Sequence, residues 1–206
     1  CSNLTEAPII PANVTNMYST FYNCYTLTSP PDMSNAINVT DMSLAFYGCF
    51  KLTEAPDLSN TINVTNMRSA FSYCRNLTSA PIIPANVTNM SETFQGCSSL
   101  TSAPVIPSNV TDMALTFRDC SSLTSAPVIP ANVTSMYFTF SGCIRLTSAP
   151  AIPANVTNMA SAFLGCSNLT SAPTIPANVT DMSNTFAYCS NLTEAPIIPA
   201  NVTNMY

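Results

Sequence analysis

The sequence predicts a repeat solenoid: one short unit stacked on itself, with a narrow parallel β-sheet on one side and short helices on the other. Three observations carry this expectation. The nine cysteines, Cys1, Cys24, Cys49, Cys74, Cys97, Cys120, Cys143, Cys166 and Cys189, are separated by 23, 25, 25 and then 23 residues throughout. Numbered from its Cys, each unit places Leu at position 4, Thr at 5, Pro at 8, Asn at 13, Val at 14, Thr at 15, Met at 17 and Phe at 21. A unit this short cannot bury its own apolar face, so neighbours must stack and share one core.

The chain thereby divides into nine coils: 1–23, 24–48, 49–73, 74–96, 97–119, 120–142, 143–165, 166–188 and an incomplete 189–206. Coils 2 and 3 carry two extra residues after position 11, and their later positions are numbered to match. The coil from Cys97 shows every column: Leu100, Thr101, Pro104, Asn109, Val110, Thr111, Met113 and Phe117. The same order explains an unusual composition. Charged residues are 7% of the chain, against roughly a quarter in an ordinary soluble domain. Sixteen of seventeen Pro sit at positions 8 or 11, and all four Gly at position 23.

Within a coil, Met at 17, Phe at 21, the next Cys and the next Leu are spaced four, three and three, as on one face of a helix. Position 16 is Asn, Asp or Ser in every coil, from Asn16 and Asp41 to Asn204, the residue set that caps helix N-termini. Position 23 is Gly, Asn, Asp or Tyr, largely the left-handed stop set. The spacing therefore predicts a short helix over positions 17 to 22. Leu-Thr at 4–5 and Asn-Val-Thr at 13–15 alternate inward and outward as strand residues do. Pro at 8 and 11 cannot donate to a ladder and turns the corners between them. Stacked strands lie about 4.8 Å apart, and helices opposite them would make each coil a wedge.

The absence of His removes His-based acid–base chemistry, His-activated nucleophiles and Cys₂His₂ zinc sites. Five Lys plus Arg against ten Asp plus Glu leave no basic footprint for nucleic acid or an anionic membrane. No apolar run approaches the roughly 20 residues that span a bilayer. No metal or other cofactor is expected. The acids, Glu6, Asp41, Glu92, Asp112 and Asp181 among them, are scattered over different columns, so no catalytic pair is expected to converge.

The pattern Cys-x-x-Leu, Ile-Pro, x-x-Val-x-x-Met, Phe-x-x-Cys resembles the BspA-like leucine-rich repeat of bacterial and protist surface proteins. Phe94-Gln95-Gly96-Cys97-Ser98-Ser99-Leu100 stands for its most specific junction, and the resemblance covers all nine coils. Ala-Pro at positions 7–8 and Met at 17 depart from it. The resemblance implies a leucine-rich-repeat-like solenoid, extracellular or at the cell surface, used for adhesion or partner binding and without enzymatic activity.

The cysteine column continues the Met–Phe face and reads as buried free thiols. Bridging is disfavoured because coils on a helical side would stand too far apart for a disulfide. Asn-Val-Thr supplies nine formal glycosylation acceptors, with Asn3, Asn76, Asn89, Asn168 and Asn191 adding further sequons. The favoured reading is structural, with Asn bonding to backbone of its own and adjacent coils. One Thr per strand at positions 5 and 15 suits a strand's exposed face better than an ice-binding or glycan-binding array.

Variable positions carry specificity in a solenoid. Tyr22, Tyr25, Tyr47, Phe50 and Tyr73 gather in the first three coils beside Lys51, Arg68 and the adjoining Arg75, and aromatics and Arg are enriched in binding hot spots. The insertions, 32–37 and 57–62, fall in the same coils. These eight residues are the candidate ligand site for a host protein or glycan; the competing reading is that the aromatics merely cover helix ends. Cys1–Tyr18 is identical to Cys189–Tyr206, which suggests a higher-order repeat of eight coils within a longer array. An extracellular stalk or self-associating fibre is therefore the second functional expectation.

Overall fold

The computed structural model describes Cys1 and residues 3–206. The columns read as core are the core. Around the junction of coils 5 and 6, Val110, Met113, Phe117, Cys120 and Leu123 are all fully buried. The position-21 phenylalanines stack from Phe21 to Phe186, with ring centroids 5.2–5.8 Å apart and planes within 13°. One continuous apolar column thus replaces the separate cores that nine short units cannot form.

The expected helices do not form. Their side is built from successive β-turns, closed in coil 1 by Thr20 N–H to Met17 O, Tyr22 N–H to Ser19 O and Cys24 N–H to Phe21 O, each 3.1 Å. Two residues per coil are left-handed, at positions 19 and 23, from Ser19 (φ 55°) and Asn23 (φ 56°) to Asn184 (φ 52°) and Tyr188 (φ 62°). That geometry gives type II turns and excludes a helix, whose residues all need negative φ. Among the described residues there is no α-helix.

The reason lies in where the amides go. A six-residue helix leaves its terminal N–H and C=O groups without internal partners. Here alternate amides point along the stack: Met17 N–H to Asp41 O (2.8 Å), Ser19 N–H to Ser43 O (3.0 Å), Phe21 N–H to Ala45 O (2.8 Å) and Asn23 N–H to Tyr47 O (2.7 Å). Each coil so bonds to the next through the side expected to splay, which corrects the wedge drawn from the sequence.

The sheet is correspondingly reduced. Parallel pairing survives as single-residue bridges at position 16, from Asn16 with Asp41 to Asp181 with Asn204, and at position 6 in Glu6 with Ser29 and Glu54 with Ser79. Among the described residues no strand is longer than such a bridge. Threonines supply rungs, Thr111 N–H to Thr88 O at 2.9 Å and Thr124 N–H to Thr101 O at 3.3 Å. Prolines lack the donor needed to extend them, and a turn from Pro107 O to Val110 N–H (3.1 Å) interrupts the run. Asn109 and Thr111 face outward and Val110 inward, as the alternation predicts. The insertions add one turn each, Met33 to Ala36 and Leu58 to Thr61, and bury those four side chains.

Candidate functional site

Positions 22 and 23 sit inside the turn that ends each coil, and position 2 inside the next, on the turn side. At the junctions of coils 1–4 these positions form two rows, Tyr73 coming from position 23 and Arg75 from position 2 of coil 4. Tyr22 and Tyr47 stack with centroids 4.8 Å apart and planes at 11°, and Tyr73 meets Tyr47 edge-on at 5.4 Å and 68°. Beside them Tyr25 stacks on Phe50 at 5.1 Å, and the Arg75 guanidinium covers the other part of the row, 5.1 Å from the Phe50 centroid. Six of the eight candidate residues are therefore brought together.

Arg68 and Lys51 are not drawn in: among the described residues no ring contact joins either to the rows. Arg68 pairs instead with Glu92, Nη2 to Oε1 3.2 Å, while Ser69 Oγ donates to the second carboxylate oxygen at 3.1 Å. Lys51 is an exposed neighbour. The insertions lie elsewhere along the coil and serve the core.

Two residues that the sequence reading left outside the site support it. Gln95 Nε2 lies 3.1 Å from the Tyr73 hydroxyl. A Cβ at Gly96 would stand 2.6 Å from Tyr73 Cδ1, so the missing side chain in one coil makes room for the ring of the coil before. The glycine was visible in its column; its neighbour across the stack was not.

The rings are consumed in part by each other. Stacking at 4.8–5.1 Å covers the faces between Tyr22 and Tyr47 and between Tyr25 and Phe50. Tyr22 and Tyr25 stay 42% and 41% exposed. Burial pushes the Tyr47 phenol above its usual value, and the phenols of Tyr73 and Tyr22 push in the same direction.

The remaining columns are committed to the stack. Cys24 to Cys189 are free and buried, each thiol from Cys49 onward donating to a Phe carbonyl two coils back at 3.1–3.2 Å. Burial raises the thiols from Cys49 to Cys189, Cys49 and Cys166 to about 12, so these offer no thiolate nucleophile. Their freedom does not rest on wide coil separation, since the same turns are hydrogen-bonded coil to coil.

The Asn column forms a ladder: Asn109 Nδ2 donates to Ala85 O at 3.0 Å and Asn178 Nδ2 to Ala154 O at 2.8 Å. Threonine hydroxyls bond back to the preceding coil, as Thr180 Oγ1 does to Thr157 O at 3.2 Å. Asp41, Asp112 and Asp181 accept from the amide two residues on, at 2.8–3.0 Å. They cap turns rather than helices. Among the described residues no three His, Cys, Asp or Glu side chains are grouped to hold a metal, and no helix is long and apolar enough to cross a membrane.

The sequence profile of the BspA type leucine rich repeat region matches residues 1–124 and 114–206, in six copies. Among solved structures, a leucine rich repeat protein of T. pallidum superimposes with a TM-score of 0.65 at 24% identity, over 80% of this chain and 78% of that one. A leucine-rich repeat protein from Bacteroides ovatus gives 0.75 at 24% identity, over 96% of this chain and 52% of that chain, so this chain spans about half its length. At such identity the likeness establishes the fold. No curated protein sequence matches.

Proposed function

The chain belongs to the BspA type leucine-rich-repeat family, and from that membership we propose that it is a non-enzymatic binding module of a secreted or surface-associated protein, with a protein as its ligand. The observation that carries this reading is the double aromatic row of Tyr22, Tyr47 and Tyr73 beside Tyr25, Phe50 and Arg75. Aromatic and Arg side chains ordered against one another are suited to an interface centre, because little rotamer freedom remains to be lost on binding. A protein is favoured over a glycan because sugar stacking needs open ring faces, and the central rings Tyr47 and Phe50 are each contacted by two neighbours, Tyr22 with Tyr73 and Tyr25 with Arg75. Tyrosine rings with their hydroxyls beside an Arg match the mixed apolar and hydrogen-bonding surface of a protein.

Binding of the immobilised chain to a panel of purified secreted proteins, and in parallel to an array of neutral oligosaccharides, tests this. A protein ligand should be retained, and replacing Tyr25, Tyr47 and Phe50 by Ala should weaken it at least about thirtyfold, roughly 2 kcal/mol, with an unchanged circular dichroism spectrum. Retention that survives the triple substitution, or that is confined to oligosaccharides, overturns the assignment.

A structural stalk is the second reading, favoured by the in-register amide ladder running through the stack and by the identity of Cys1–Tyr18 with Cys189–Tyr206. It requires an extended array in the intact protein with no loss of function when the aromatic rows are removed.

A further inference from the structure

A second surface lies on the proline side. Position 9, between the two prolines, faces solvent: Ile82 is 77% exposed, Val105 88%, Val128 87% and Ile197 91%. Its neighbour at position 10 turns inward, with Ile83, Ile106 and Ile129 buried. Among the described residues, no backbone hydrogen bond crosses between coils 4–9 at positions 7 to 11. The coils separate there and open grooves of 520, 400, 360 and 430 Å³ between coils 4 and 5, 6 and 7, 7 and 8, and 8 and 9. The result is a row of apolar ridges alternating with grooves floored by Pro and Ala.

We propose that this face packs against the same face of a second copy of the chain, antiparallel, over coils 4–9, with each coil of one copy facing the groove between two coils of the other, so that coil 5 lies beside coil 8. A ridged surface of constant period is complementary to itself when shifted by half a period, so position-9 side chains of one copy enter the grooves of the other. The interdigitation resembles the dry packing of paired sheets.

Charge supports the pairing and sets its direction. Positions 7–12 of coils 4–9 contain no charged residue, whereas position 9 is Asp32 in coil 2 and Asp57 in coil 3. A parallel dimer would put each Asp opposite its own copy, like charge on like. The antiparallel arrangement over coils 4–9 leaves coils 1–3 outside the contact.

The area suffices for a weak, specific dimer. Six coils at about 4.8 Å and six extended residues at about 3.3 Å each give a footprint of roughly 30 by 20 Å per copy. Two such faces bury on the order of 1,200 Å², the lower end of the standard interface class. A footprint of roughly 600 Å² per copy stands at the upper end of the apolar patches that monomers expose. The face involves none of the aromatic columns, so it is independent of the ligand site.

Sedimentation velocity of the 206-residue chain from about 5 to about 500 µM tests the proposal, alongside the double variant Val105→Asp, Val128→Asp. Asp already occupies position 9 in coils 2 and 3, so the coil accepts it, and a thermal melt confirms that the variant is folded. The wild type should pass from monomer to dimer within this range, and the variant should dimerise at least about tenfold more weakly. A wild type monomeric at the highest concentration, an open-ended assembly, or a variant that dimerises as the wild type does overturns it. Mixing Val105→Cys chains with Thr174→Cys chains under mild oxidation should cross-link the mixed pair; a Val105→Cys homodimer instead overturns the antiparallel arrangement.

Discussion

The thiol of Cys97 donates to the backbone carbonyl of Phe71, two coils back, Sγ to oxygen 3.1 Å. The bond recurs along the stack to Cys189 and Phe163, in surroundings where a thiolate has no water.

Stability should therefore fall at alkaline pH. A thiol whose folded value lies above its unfolded value of 9.0 keeps its proton in the fold after the unfolded chain has lost it. Its contribution is complete below about pH 9 and is lost as pH rises toward the folded value, about 12 for Cys49. The slope is at most about 1.4 kcal/mol per pH unit for each thiol. Urea midpoints from pH 7 to 10.5 should be flat and then drop, and Cys49→Ala should flatten the drop by one proton. An unchanged slope in that variant would exclude the thiol as the cause.

The asparagine ladder should be a measurable source of stability. Asn109→Ala removes the bond from Nδ2 to Ala85 O and should cost about 1 kcal/mol, or some 2–4 °C in melting temperature for a chain of this size. Asn109→Asp should cost more, since it sets a carboxylate against a carbonyl with no donor between them. Asn109→Ala and Asn178→Ala, three coils apart, should add.

Two glycines in the same column should respond differently. A Cβ at Gly165 meets nothing nearer than 3.9 Å, so Gly165→Ala should carry only the left-handed backbone penalty, about 1 kcal/mol. Gly96→Ala should cost more because its Cβ would collide with the Tyr73 ring. Replacing Tyr73 by Ser in the Gly96→Ala background should bring the two penalties together in denaturant melts.

One tyrosine should ionise late. Following phenolate absorbance against pH, Tyr47 should titrate above the usual range because burial and its phenolic neighbours raise it. Tyr47→Phe should remove this late phase, and Tyr73→Phe should shift it downward.

The burial pattern was legible because Val, Met, Phe, Cys and Leu return at fixed intervals, and stacking units must bury like positions together. The turn side was misread for a local reason. Asn, Asp or Ser at position 16 and the left-handed set at position 23 serve a helix and a run of turns equally well. The residues that distinguish the two are at position 19: Ser19, Leu44, Ser69, Glu92, Leu115, Phe138, Ser161 and Asn184 share a positive φ but no chemistry. Nothing in Leu115 or Phe138 announces a left-handed backbone.

The candidate site divides in the same way. Tyr22, Tyr25, Tyr47, Phe50, Tyr73 and Arg75 were visible as a cluster in neighbouring columns. That Arg68 would turn to Glu92, that the rings would cover one another, and that Gly96 would seat Tyr73 depended on contacts across coils. Periodicity settles which side chains share a core, because each interval returns them to the same place on the coil. It cannot settle which backbone conformation each coil adopts, since amides at positions 17, 19, 21 and 23 find their acceptors in the adjacent coil. Only when the neighbouring coil supplies those carbonyls are stacked turns favoured over a short helix with open ends.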